Sequence, residues 1–164
     1  MNFETLFKEI KVSAISNYKT LRENSPSHDP LLISERGQQT AFLCSGLHGR
    51  SIIIPEDKSD FFYVQKGGGL TYFGGNFINI CELDYGHIWG GLGTSEALRE
   101  FDIGSKFVKQ GGTGPEYNAV YEFDAPSDIC RGFDSFPLAV LEMRVRCPIR
   151  VSDFGLFNKS ILKK

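Results

Sequence analysis

The stretch Ser59–Gly69, SDFFYVQKGGG, decides the fold class. Phe61 to Val64 are aromatic or β-branched, the residue types that fit a pleated, half-buried surface. Lys66 ends this run, and three glycines follow it. The stretch therefore predicts a strand that stops at a lysine and enters a tight, side-chain-free turn. Just before it, SIIIP (Ser51–Pro55) is a second short apolar run, and EDKSD between them has turn composition. Residues 51–66 are expected to form a β-hairpin, with TAFLCSG (Thr40–Gly46) as a further strand beside it.

Downstream, residues 67–93 are glycine-rich and read as loop and turns. TSEALREFDIGSKFVKQ (Thr94–Gln110) predicts a helix. Thr94 or Ser95 is the expected N-cap, and Glu96 favours the first turn by its charge. Leu98, Phe101, Phe107 and Val108 supply the apolar side, and GGTGP (Gly111–Pro115) stops the helix. YNAVYEF (Tyr117–Phe123) and PLAVLEMRVRCPIRV (Pro137–Val151) predict two strands joined by a polar loop. In the second, Leu141, Met143 and Val145 alternate with Glu142, Arg144 and Arg146, which assigns one face to the core and one to solvent.

Upstream, Phe3, Leu6, Phe7, Ile10, Ala14, Tyr18 and Leu21 recur at helical spacing with charges between them. An N-terminal amphipathic helix is expected, ending near RENSPSHDP, where Pro26 and Pro30 cannot continue it. The sum is an α+β fold: a small, mostly antiparallel sheet with a helix packed on it, plus the N-terminal helix, in a single domain over residues 1–164.

Composition narrows the function classes. Hydrophobic residues are 41% and charged residues 23%, with 14 Phe, as in an ordinary globular chain with a rich aromatic supply. The net charge of −2 and the absence of a basic run argue against nucleic acid as a partner. No apolar run reaches the length of about 18 residues that a membrane helix needs, and the charged N-terminus is not a signal peptide, so the expected compartment is the cytosol. Cys44, Cys81, Cys130 and Cys147 are far apart with no C-x-x-C pair, which leaves no zinc pattern. Buried thiols are the simpler account, with a disulfide as the alternative. His28, His48 and His87 stand apart from one another; CELDYGH gathers Cys81, Glu82, Asp84 and His87, which could bind a metal but are explained equally well by loop composition, so no metal site is assigned.

The remaining candidates concern an anion. Lys66 is a cation at a strand end, followed by Gly67 and Gly69, whose backbone can approach a phosphate unobstructed. A solvated lysine beside a turn accounts for the same residues. Glu100, in the predicted helix, is the residue type that orients such a lysine in kinase-type sites, or else a member of a solvated helix face. Arg144 and Arg150, on and just after the last strand, could fork onto polyphosphate oxygens and converge with Lys66, or lie on an exposed strand face.

Taken in order, VQKGGGLTYF, ALREF and LEMRVRCPIRVSDFG resemble the selenoprotein O family. The resemblance implies a pseudokinase-like fold and protein AMPylation, the transfer of AMP from ATP to Ser, Thr or Tyr hydroxyls. It matches Lys66 to the phosphate-binding lysine, Glu100 to its helix partner, and Arg144 and Arg150 to two nucleotide-contacting arginines. It covers the N-terminal lobe alone. The family's catalytic Asp, its metal-binding Asn and Asp and its helical second lobe have no counterpart in these residues. The expectation is a nucleotide-binding lobe that binds ATP weakly or not at all without a C-lobe partner, with magnesium only when that lobe is supplied, and that does not transfer AMP by itself. A lone lobe also exposes the face that meets its partner, so association with a C-lobe-like protein, or self-association through Phe residues and Trp89, is the alternative of a non-catalytic interaction module. Asp153-Phe154-Gly155 spells the kinase metal tripeptide, but it follows an N-lobe strand with no catalytic loop before it, and reads as a turn.

Overall fold

The computed structural model describes residues 7–34, 36–44, 51–68, 91–124 and 137–148. They form one antiparallel sheet and one helix. The strands are β1 (Phe7–Ala14), β2 (Lys19–Glu23), β3 (Leu31–Ile33), β4 (Gln39–Cys44), β5 (Ser51–Pro55), β6 (Phe62–Lys66), β7 (Glu116–Asp124) and β8 (Pro137–Val145), and the helix α1 (Thr94–Lys109) lies between β6 and β7 in the chain. The 8-stranded sheet runs in the order β2-β7-β8-β6-β5-β4-β1-β3.

The expected hairpin is β5–β6, with Ser51 opposite Lys66 and Ile53 opposite Val64. Its turn is closed by the Glu56 N–H donating to the Phe61 carbonyl, with Lys58 at positive φ. Helix α1 also stands where its periodicity puts it, but its cap differs. The N-cap is Gly93, whose carbonyl accepts from the Ala97 N–H, and no side chain caps the end. Thr94 instead donates to the Pro137 carbonyl. The last strand ends at Val145, short of the expected Val151; Pro148 just beyond it has no N–H for a ladder.

The N-terminal helix is corrected over residues 7–23, which form β1 and β2 with a bend at Ser16–Asn17; residues 1–6 lie outside the described set. Helical spacing misled because the buried residues of β1, Phe7 and Val12, lie on opposite faces of the sheet. Phe7 packs against Phe62 on one face, while Ile10 and Val12 pack beneath Leu31 on the other. Apolar residues drawn from two faces mimic a period of 3.6.

Alternation along each strand sorts the residues into two buried faces. The first holds Phe7, Ile53, Val64, Ala139, Leu141, Met143 and Val120, and α1 covers it with Ala97 and Phe101. Gly104 belongs to this contact. A Cβ there would lie 2.2 Å from the Tyr117 ring, which itself meets Phe101 edge-on. Gly to Ala in a helix ordinarily stabilises by about 1 kcal/mol. Here Gly104→Ala is expected to destabilise by about 1–3 kcal/mol through overpacking, a reversal of sign that urea titration would detect.

The second face holds Ile52, Ala41, Val12, Val140, Tyr121 and Leu138. It is covered by the chain between β2 and β3, which are the two edges of the sheet. From Glu23 to Leu31 a fully extended chain reaches about 28 Å, whereas eight strands laid flat would be about 34 Å across. The sheet must therefore curl, with this segment as a strap over its concave side. The closure is visible where the Ile33 N–H donates to the Gly68 carbonyl, beyond the end of β6.

Candidate functional site

Lys66 stands opposite Leu141 on the helix-facing side of the sheet. On α1, Ala97, Glu100, Phe101 and Gly104 share one stripe at the i, i+3, i+4, i+7 spacing. Ala97 and Phe101 are buried against the sheet, so Glu100, between them, is turned inward too. The Lys66 ammonium donates to Glu100 Oε2 in a close ion pair. The lysine side chain is 11% exposed and the glutamate side chain 30%. At that burial neither charge is fully hydrated, so each is the other's main compensation. Glu100 also bears on Tyr117, whose phenol is held above its ordinary value, mainly by burial and then by this carboxylate.

The turn after Lys66 is fixed from two sides. Gly67 has φ +102°, and a Cβ there would lie 2.2 Å from the Ala139 carbonyl oxygen. A Cβ on Gly68 would lie 2.3 Å from the Leu31 carbonyl oxygen. Both glycines are buried. Close backbone approach is thus sufficient reason for Gly67 and Gly68, whatever the turn binds.

Arg144 does not converge with Lys66. It stands opposite Tyr63, three register positions from the Lys66–Leu141 pair, and an odd step along a strand reverses the face. Its guanidinium donates to Glu56 at 2.9 Å and to Glu116 at 3.2 Å, and lies 3.7 Å from the centre of the Phe61 ring. The Glu56 carboxyl is held down to about 2 by hydrogen bonds from Arg144, then Ser59 and Tyr63. Arg144 therefore braces the β5–β6 turn. Gly69, Arg150 and Asp153-Phe154-Gly155 lie outside the described residues, as do Trp89, His48 and His87.

A second polar cluster, which the sequence reading missed, lies behind Lys66. Glu142, expected on a solvent face beside the arginines, is fully buried. Its Oε1 accepts from the Ser27 N–H at 2.9 Å and from Asn118 at 3.4 Å, and its Oε2 accepts from Gln65 at 3.1 Å. His28 Nδ1 is 3.5 Å from the same Oε2. Gln65, also fully buried, accepts from the Leu31 N–H at 2.8 Å and donates to the Asp29 carbonyl at 3.0 Å. The Tyr121 hydroxyl donates to the His28 carbonyl. The available signal was Gln65 and Glu142 interrupting apolar runs, since a polar residue at such a position is either exposed or fully bonded.

Outside these clusters, Ile103 and Phe107 are 63% and 54% exposed, one turn apart on the outer side of α1. Among the described residues no three His, Cys, Asp or Glu side chains form a metal-binding group, and no helix is long and apolar enough to cross a membrane. Comparison with family models, with curated proteins and with solved structures finds no match to this chain.

Proposed function

We propose that this chain is a nucleotide-binding lobe of the selenoprotein O type, related to the N-lobe of kinase-like folds, that binds ATP through Lys66. The observation that carries the reading is the Lys66–Glu100 ion pair. Kinase-type sites use a strand lysine, oriented by a helix glutamate, to hold nucleotide phosphates. The order of elements supports it as well: a hairpin whose second strand ends at the lysine, a helix, then two strands, the second of which returns beside the lysine strand. Lys66 is the phosphate contact, Glu100 its orienting partner, and Gly67 part of the turn that brings backbone close to the anion. Gly69 and Arg150 join the site by resemblance. Arg144 is committed to Glu56 and Glu116 and serves the hairpin.

AMP transfer from this lobe requires the metal-binding and catalytic groups that the family carries in a second lobe, and magnesium would bind with them. We place the protein in the cytosol. The test is a thermal melt with ATP. A ligand that binds only the folded state raises stability by RT ln(1 + [L]/Kd), so millimolar ATP is expected to raise the melting temperature of the wild type and not that of Lys66→Ala. An unchanged wild type, or an equal rise in the variant, would refute the reading.

A second reading, a non-catalytic interaction module, is favoured by Ile103 and Phe107, an apolar pair left uncovered on α1. It predicts a mass that rises with concentration in light scattering and falls to the monomer in Ile103→Glu/Phe107→Glu. A monomer at every concentration counts against self-association.

A further inference from the structure

We propose that Gln65 is a positioning residue for Lys66, acting through the strap over the opposite face of the sheet. This rests on the reading of Lys66 as the phosphate contact. Gln65 and Lys66 are neighbours on β6, so their side chains leave opposite faces of the same strand. Lys66 goes to Glu100 and Gln65 goes to the strap.

A buried amide is costly unless its hydrogen bonds are made. Gln65 makes them: its oxygen accepts from the Leu31 N–H, and its nitrogen donates to the Asp29 carbonyl and to Glu142. An apolar side chain would fill the position without fixing the strap along the strand. The amide fixes it, because a satisfied buried network tolerates one arrangement. Leu31 and Ile33, held in that register, then bear on the turn. The Ile33 N–H donates to the Gly68 carbonyl at 3.1 Å, and the Leu31 carbonyl sits where a Gly68 Cβ would be. Across the turn, Ala139 and Leu92 confine Gly67 in the same way. The backbone that carries Lys66 is thus gripped between β8 and the strap, and Gln65 sets the strap's side of the grip.

The experiment uses Gln65→Met, which keeps the bulk and removes the three hydrogen bonds. Three quantities are read: ATP affinity, amide-exchange protection at Ile33, and the coupling between Lys66 and Glu100. The coupling comes from a double-mutant cycle (Lys66→Met, Glu100→Gln) run in both backgrounds. Phe7→Leu, in β1 and packed on Phe62 at the end of β6 away from Lys66, is the control for destabilisation alone. The expected result is lost protection at Ile33, ATP affinity at least fivefold weaker, and a coupling at most half that of the wild type, with the control retaining wild-type affinity and coupling. Lost protection at Ile33 with wild-type affinity and coupling overturns the proposal. If the wild type itself does not bind ATP, the nucleotide reading falls and the coupling alone decides: a fall by half upholds positioning, and no change overturns it. If Gln65→Met does not fold, Tyr121→Phe, which frees only the His28 end of the strap, is read in the same way with a smaller expected change.

Discussion

Glu142→Ala is expected to destabilise the protein by about 3–5 kcal/mol, the range for breaking a buried charged network from one side. The carboxylate accepts from the Ser27 N–H, from Asn118 and from Gln65, and lies beside His28, all in a fully buried position. Truncation removes the acceptor and leaves the Asn118 and Gln65 amides buried without it; each unsatisfied buried donor costs about 1–3 kcal/mol. Against a total stability of about 5–15 kcal/mol for a domain, that is a severe loss. Glu142→Gln is expected to cost less, about 1–3 kcal/mol, because its oxygen still serves Ser27 while its NH2 faces donors.

The two variants also separate by pH. Burial, the largest single influence, pushes the Glu142 carboxyl up. The neighbouring His28, then hydrogen bonds from the Ser27 N–H and Gln65, together push it further down, so its folded value lies below the ordinary one. A carboxyl lowered on folding stabilises fully above the unfolded value of about 4.3, and that stability is lost as pH falls through the folded value. Urea titrations at pH 7 and pH 3 should show the wild type losing more stability than Glu142→Gln over that interval. Equal losses would show that Glu142 does not anchor the strap by its charge.

The second large effect is at Gly67. Gly67→Ala is expected to cost about 2–6 kcal/mol, combining about 1–3 kcal/mol of backbone strain with about 1–3 kcal/mol of overpacking. Its φ of +102° is one that side-chain-bearing residues rarely adopt, and the new methyl would meet the Ala139 carbonyl oxygen at 2.2 Å and Leu92 Cβ at 2.8 Å. Neither neighbour yields easily: Ala139 lies in β8, with its N–H held by the Leu92 carbonyl at 2.8 Å. Chemical denaturation measures the loss, and a stability within 1 kcal/mol of wild type (on the same scale) would show that the turn can relax away from β8.

Local signals carried the parts of the fold that sequence could reach. α1 has one dominant period, and the β5–β6 hairpin and β7 are short apolar runs bounded by turn residues, so their sequences point to a single element. The segment from Phe7 to Glu23 carries a helical spacing that misleads, because β1 lies between two cores and draws apolar residues from both. The strap could not be read from SPSHDP at all; its structure depends on Gln65 and Glu142, distant in the chain. At the candidate site, the spacing of Glu100 permitted both an inward and a solvated position. Burial of Ala97 and Phe101 on the same stripe turned it inward. Arg144 shows the converse. Its residue type suited phosphate, but register with Tyr63 placed it on the other face, and register is invisible in a single strand's sequence.

We propose Lys66, held by Glu100, as the phosphate contact of an ATP-binding lobe. Calorimetric titration of ATP into the wild type and into Lys66→Met tests it most directly. Loss of one charge-assisted contact of about 1.5–3 kcal/mol corresponds to a Kd weaker by roughly 10- to 100-fold, and that is the predicted result. The same Kd in both proteins, or no heat of binding in the wild type at millimolar ATP, would contradict the account.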